Sequence, residues 1–274
     1  MPGPQGIPQD IPIVLRSWYG RQAPEASVVG DQLKFNFVAQ VSAILGDVRL
    51  FFMPDSADTT TNTDLSRHGA TLTYDASVAG NLNRQGSGLF WQLDGSADET
   101  DTADNARYTF LDGVDEPFSI VALINPDVNN AAMSILAKQS SATAEEYDFG
   151  LTSSGHPFFT LTDESESATI GRRDATAVGT NAVLVAGTYD GTATSSGIDV
   201  LVNAVVLDDN DVNTGSYTAM EDTAAILNVG ARYSTKQRFF DGGIAMVTLS
   251  LGALSVHEVE AILGLVNGYF DLSL

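Results

Sequence analysis

The sequence predicts an all-β fold built as two packed antiparallel sheets, and three observations predict it. From residue 48 onward short apolar runs recur, rich in Val, Ile, Phe and Tyr. Gly, Asp, Asn and Ser fill the gaps between them, which is turn chemistry. Most gaps are too short for crossover helices, so neighbouring strands should pair antiparallel in a sandwich or barrel rather than form a parallel α/β sheet.

In order, the strand candidates are "VRLFFM", "TLTY", "LFWQL", "RYTFL", "FSIVALI", "MSILAK", "YDFGLT", "PFFTLT", "AVLVAGTY", "IDVLVNAVVL", "ILNVG" and "GIAMVTLSL". Residues 1–46 read differently, as an extended N-terminal arm ahead of a domain spanning 47–274. Pro2, Pro4, Pro8 and Pro12 exclude helix there and favour solvated, extended backbone. Two collagen-like triplets in "GPQGIP" end at Gln9, where a third Gly would be needed, so a triple-helical stalk is not expected. The arm carries Ile11, Ile13, Val14, Leu15, Trp18 and Tyr19, which need a surface to cover, either on this domain or on a neighbouring subunit. In "DQLKFNFVA" (31–39), Leu33, Phe35 and Phe37 alternate with Lys34 and Asn36, the pattern of a half-buried strand.

One C-terminal helix is expected over "SVHEVEAILGLVNGYF". Ser255 and Glu258 have capping-box spacing, and Gly268 is a natural stop. Val256, Val259, Ile262, Leu263 and Val266 make one apolar face, which should pack on the sandwich.

Charge and composition narrow the function. With 13 Lys and Arg against 35 Asp and Glu, the net charge is −22. Such a surface repels nucleic acid and anionic membranes, so neither is an expected partner. Lysine is scarce, at positions 34, 138 and 236 only, which suits a saline setting. Without cysteine there is neither a disulfide framework nor a thiolate metal site. The start, "MPGPQGIPQDIPIVL", lacks the basic and apolar regions of a signal peptide, pointing to a chain not exported by the standard route.

Taken in order, these segments resemble the laminin-G-like, concanavalin A-like lectin/glucanase jelly rolls over roughly residues 48–270. "DLSRHGATL" (64–72) is similar to the family's Asp-x-Ser-x-x-Gly stretch, and "LFWQLDGSADE" (89–99) to its strand ending in Asp-Gly and acids. "FSIVALINP" (118–126), the hairpin "AVLVAGTYDG" with "VLVNAVVL", and the closing "ILNVGARY" and "FFDGGIAMVTLSLGALSVHEVEAIL" follow in family order. The resemblance implies a two-sheet antiparallel jelly-roll sandwich (concanavalin A-like) with ligand sites on loops or on the concave sheet. Leu123 and Ala182 stand where the family often has Trp, Ala204 replaces a hairpin Gly, and Ala245 replaces an acid. The pattern is that of a fold kept as a scaffold.

A glucanase of this fold needs two carboxylates facing one groove. No stretch matches the Glu-x-Asp-x-x-Glu strand signature, and "DESES" (163–167) reads as a loop, so no catalytic residues are expected. His68, His156 and His257 are too dispersed for a zinc site or a catalytic triad. No cofactor is expected; relatives of this fold bind Ca²⁺ at the sheet rim, and "DGSADETDTAD" (94–104) and "LDDNDVN" (207–213) offer oxygen ligands without a specific calcium motif. Asp190 and Asn203 read as turn residues. For sugar stacking, Trp91 reads as core-adjacent, leaving loop tyrosines such as Tyr217 and Tyr233.

By analogy with phage particles, which use such jelly rolls, the sequence reads first as a non-enzymatic virion structural protein. It would be a capsid decoration, head-fibre or tail component whose arm binds other copies or capsid and tail proteins. The alternative is a carbohydrate-binding adhesion module, Ca²⁺-dependent or not, with a glycan as partner.

Overall fold

The computed structural model describes residues 28–55, 60–74, 82–111, 113–141, 143–207, 210–232 and 237–274. Among the described residues the regular elements are two antiparallel sheets, two α-helices and two single 3-10 turns.

The eight-stranded sheet contains β1 (Asp47–Phe52), β4 (Leu82–Gln85), β5 (Gly88–Asp94), β7 (Phe118–Pro126), β12 (Val183–Tyr189), β13 (Ile198–Val202), β14 (Val205–Val206) and β17 (Asp241–Leu251). Its order is β14-β13-β12-β7-β17-β5-β4, and β1 pairs with the second half of β17. The nine-stranded sheet contains β2 (Thr61–Thr63), β3 (Thr71–Tyr74), β6 (Thr100–Thr102), β8 (Met133–Ser141), β9 (Ala144–Leu151), β10 (Pro157–Asp163), β11 (Ala168–Arg173), β15 (Asn210–Asp211) and β16 (Leu227–Val229). Its order is β15-β11-β10-β9-β8-β16-β6-β3-β2. This is the expected jelly-roll sandwich.

Why β7 and β12 read as unbroken apolar runs is now clear: both faces of the eight-stranded sheet are covered. Successive side chains point to opposite faces. Phe118, Ile120, Ala122 and Ile124 enter the core between the sheets, whereas Val121 and Leu123 enter a second core under the helices. In β17 a register shift between Ile244 and Met246 inserts an extra residue, as in a β-bulge. As a result Ala245 and Met246 both lie in the helix-side core. The family's acidic position is therefore buried beneath a helix, where a carboxylate would be desolvated.

α1 (Val28–Leu45) corrects the strand expected at 31–39, and with it the extended conformation expected for 28–45. Phe37, Val41 and Leu45 recur every four residues and are buried, the spacing of a helix face. Phe37 stacks on Tyr269 at 4.5 Å between ring centroids. Ile11, Ile13, Val14, Leu15, Trp18 and Tyr19 lie outside the described residues.

α2 (Val256–Phe270) begins as expected, with the Ser255 Oγ accepting from the Glu258 N–H and the Glu258 carboxylate accepting from the Ser255 N–H at 2.8 Å. It runs past Gly268 to Phe270, and Asp271 closes it in the left-handed region at φ 54°. Its buried face is Val259, Ile262, Val266 and Phe270; Val256 is exposed and Leu263 half-buried. The "RYTFL" stretch is not a strand either. Ala106–Tyr108 form a single 3-10 turn, because the Asn105 side chain accepts from the Arg107 N–H and starts it.

Candidate functional site

On β9 and β10 the inward positions Tyr147, Phe149, Leu151, Phe159 and Leu161 fill the inter-sheet core. Period-two alternation turns Glu146, Asp148 and Gly150 outward on β9, and Phe158, Thr160 and Thr162 outward on β10. Across the sheet, Phe158 sits between Gly150 and Arg173, and Thr160 sits between Asp148 and Gly171. A Cβ on Gly150 would lie 2.1 Å from the Met133 carbonyl oxygen, so this position takes no side chain and the face beside Phe158 stays low.

Asp148 is the anchor of this face. Its Oδ1 accepts from the Ser134 Oγ at 2.7 Å, and its Oδ2 accepts from Arg238 Nη1 at 3.1 Å and Arg232 Nη1 at 3.5 Å. Burial pushes the Asp148 carboxyl above the usual carboxylate range, with Arg238 and Arg232 opposing the rise. Arg232 also reaches Glu145 Oε1 at 3.7 Å. Arg238 holds φ 49°, a left-handed conformation costly for a residue with a Cβ. Its carbonyl accepts from the Ser134 N–H at 2.8 Å, and its guanidinium lies 5.7 Å from the Phe158 ring centroid. The strain thus lays Arg238 over the one outward aromatic of β10. Arg232 and Gln237 exchange two backbone hydrogen bonds, which brings both arginines over the sheet.

Glu146, two residues before Asp148, is wholly buried. It receives Lys138 Nζ, Thr109 Oγ1 at 2.8 Å, and the Thr223 N–H and Oγ1 at 2.9 and 2.8 Å. Lys138 Nζ also lies 3.0 Å from Asp104 Oδ1. Burial raises the Glu146 carboxyl, and the Lys138 charge opposes that. These bonds tie the segments around Asp104, Thr109 and Thr223 over the carboxylate.

Sequence reasoning missed this cluster. Its signal was "EEYDFGL", where Glu146-Tyr147-Asp148 has the first half of the glucanase signature. The position of the final acid is Leu151, which points into the core. A glycosidase needs one carboxyl free to protonate a leaving group and a second free to attack or to activate water. Here Glu146 and Asp148 are each committed to cations and hydroxyl donors, so the arrangement can orient and hold but offers no free pair.

The other sequence candidates lie elsewhere. Trp91 is in the inter-sheet core, against Phe52 and Tyr74, rather than beside it. The Tyr217 hydroxyl donates to Asp115 Oδ2 at 2.7 Å, as does Tyr189 at 2.6 Å, so Tyr217 pins a loop. Tyr233 lies outside the described residues. Asp190 serves its turn as expected, its Oδ1 accepting from the Thr192 N–H at 3.0 Å; Asn203 sits in a turn at φ 48°, but its Oδ1 accepts from the Leu184 N–H of β12 at 3.0 Å rather than from local backbone. Of the calcium candidates, Asp94 accepts from Ser96 and Ala97, and Asp104 pairs with Lys138. Positions 208 and 209 lie outside the described residues, among which no group of three or more His, Asp or Glu could hold a metal ion. His156 Nδ1 meets the Asp174 carbonyl at 3.0 Å, and His257 lies 3.6 Å from Glu260. Among the described residues no helix is long and apolar enough to cross a membrane.

Comparison with known proteins agrees with the fold. The binding domain of Paraclostridial Mosquitocidal Protein 1 superposes with TM-score 0.62 at 12% identity, covering 83% of this chain and 53% of that one. The botulinum neurotoxin type G receptor binding domain gives TM-score 0.56 at 12% identity, covering 80% and 51%. The botulinum neurotoxin serotype D ligand binding domain, solved in complex with N-acetylneuraminic acid, gives 0.56 at 12%, covering 82% and 52%. This chain spans about half the length of these structures, and at such identity the likeness is one of fold. No curated protein matches the sequence. The laminin-G-like model of the concanavalin A-like lectin/glucanases superfamily matches residues 94–260, more than half of the chain. With two antiparallel sheets in jelly-roll order and that match spanning most of both, the chain belongs to the concanavalin A-like lectin/glucanase superfamily.

Proposed function

We propose that this chain is a non-catalytic carbohydrate-binding protein that meets its glycan on the outer face of the nine-stranded sheet. The observation that carries the reading is the row across that face: Arg173, Phe158 and Gly150 in register, with the strained Arg238 laid over the Phe158 ring. Sugars are recognised by a planar group against the ring face and by fixed donors and acceptors for hydroxyls. The Arg238 guanidinium, backed by the buried Phe158 ring, supplies the first, and Thr160, Thr162 and the guanidinium N–H groups the second. Membership of a lectin/glucanase superfamily supports this reading over assembly. Work outside a cell, at a surface that displays glycans, follows from it.

The test is a glycan microarray followed by titration calorimetry on the strongest ligand, with and without chelator. Saturable binding that falls at least tenfold in Arg238→Ala and in Thr160→Val, and survives chelation, is the expected result. Binding that neither substitution alters, or turnover of the ligand, would contradict it.

A further inference from the structure

We infer that Lys138 and Asp104 become joined by a side-chain amide, formed by the chain itself with loss of water, and that Glu146 carries the protons for this step. Lys138 Nζ lies between two carboxylates, 2.5 Å from Glu146 Oε1 and 3.0 Å from Asp104 Oδ1. An amine, a carboxyl to attack and a second carboxyl to move protons are the groups such a bond needs. Among the described residues Lys138 is also the one wholly buried lysine.

Each group is placed by something specific. Lys138 opposes Tyr147 and Gln139 opposes Glu145, so Glu146 is the extra residue of a bulge in β9. Bulges re-aim a side chain in this way. Thr109 Oγ1 on one oxygen, and the Thr223 N–H and Oγ1 on the other, then fix the Glu146 carboxylate. Thr102 of β6 and Lys138 of β8 both stand opposite Leu227, and Asp104, two residues beyond Thr102, reaches Lys138 across β16. Lys138 and Glu146 side chains are fully buried, whereas that of Asp104 is 36% exposed on the loop before the 3-10 turn. The carboxyl to be attacked can therefore shift as the bond shortens and release water to solvent, while the amine and its proton carrier stay dry and fixed.

Glu146 Oε1 takes a proton from the Lys138 ammonium, and the freed nitrogen lone pair attacks Asp104 Cγ, forming the C–N bond. Glu146 passes that proton to an Asp104 oxygen, takes a second from the nitrogen and passes it on. The Cγ–O bond then breaks and the oxygen leaves as water. Two protons have moved from nitrogen to oxygen, no oxidant or reductant is consumed, and Glu146 ends as it began, beside the new amide N–H. Burial raises the Glu146 carboxyl above its ordinary range, which favours its taking the proton. Holding amine and carboxyl in contact removes the entropic cost of a bimolecular condensation. The reaction also annihilates the Lys138 charge, which a dry site disfavours. In a chain without cysteine, the amide staples the segment after β6 to β8 and constrains the unfolded chain as a disulfide would.

The experiment is intact-mass spectrometry of folded full-length protein, followed by tryptic mapping. The wild type should weigh less than its sequence by one water. Trypsin should fail to cut after Lys138 and should release residues 85–107 joined to residues 108–172, a branched product that dehydration within one peptide does not give. Asp104→Ala and Lys138→Arg should each restore the full sequence mass, as should Glu146→Gln with the circular dichroism of the wild type. Asp104→Asn should lose ammonia in place of water, because the same attack then expels a different leaving group. Asp104 is on an exposed loop, so its two variants carry the test even if Glu146→Gln unfolds. A folded wild type at full sequence mass, a deficit that persists in Asp104→Ala, or a branch placed on Glu146 would overturn the bond. Arg238→Ala should leave the mass deficit intact, so failure of the bond and failure of the carbohydrate reading are separable.

Discussion

At the scale of single residues, Lys138 and Glu146 show how a polar pair is kept inside a sandwich. Both are wholly buried, and each carries the other's charge. Removing Glu146 leaves Lys138 with Asp104 alone and strands the donors of Thr109 and Thr223, so Glu146→Leu should cost about 3–5 kcal/mol; adding Lys138→Met should recover only part of that, because those donors stay unpaired. Chemical denaturation of both variants checks this. Since burial raises the folded-state Glu146 carboxyl above its ordinary 4.5, its effect on stability has a definite sign. A carboxyl with a raised folded pKa stabilises the fold below its unfolded value and loses that contribution as pH rises through the folded value. Relative to Glu146→Gln, the wild type should therefore lose stability as pH is raised from 4.5 upward. The hairpin residue Ala204 shows the opposite economy. It sits at φ 63° after Asn203 at φ 48°, a turn that asks for glycine. Ala204→Gly relieves about 1–2 kcal/mol of left-handed strain against about 0.5–1 kcal/mol of added chain entropy. A gain of up to about 1.5 kcal/mol in thermal unfolding is expected, and a loss would mean that the Ala204 methyl matters more to the helix-side core than its strain.

At the scale of elements, legibility followed pattern strength. The runs at β7, β12 and β17 were readable because burial on both faces makes them apolar throughout. The segments "TNT" of β2 and "ND" of β15 carry no apolar signal, since backbone pairing at a sheet edge is all that makes them strands. α1 was misread because Leu33, Phe35 and Phe37 fit a period of two within nine residues. The spacing that decides, from Phe37 to Val41 to Leu45, extends beyond that window. The helical account predicts that Phe37→Ala, which removes an aromatic 4% exposed and stacked on Tyr269, costs about 3–5 kcal/mol. Leu33→Ser, on the 46% exposed side, should cost within about 0.5 kcal/mol. For α2, Ser255→Ala should cost about 1 kcal/mol near neutral pH. Hydrogen bonds from the Ser255 N–H and Oγ hold the Glu258 carboxyl below its usual 4.5, so this contribution is present above 4.5 and lost as pH falls through the lowered value. The Ser255→Ala penalty should shrink in acid accordingly.

For the molecule as a whole, the two faces of the sandwich have separate duties. Helices seal the eight-stranded sheet, and with it the positions of Leu123 and Ala245, where the family often has Trp and an acid. The proposed carbohydrate site lies on the nine-stranded sheet. That site was only half legible. Glu146 and Asp148 announce a shared face by their spacing, but Arg232 and Arg238 arrive 84 and 90 residues later, and no local pattern tells which carboxylate they will meet. The account rests on that outer face touching sugar. Its most direct measurement is a map of amide shifts on adding the glycan that the microarray selects. Perturbations confined to β9, β10, β11 and the residues around Arg238 are predicted; perturbations confined to the loops around Asp115 and Asp190, or to α1, would contradict it.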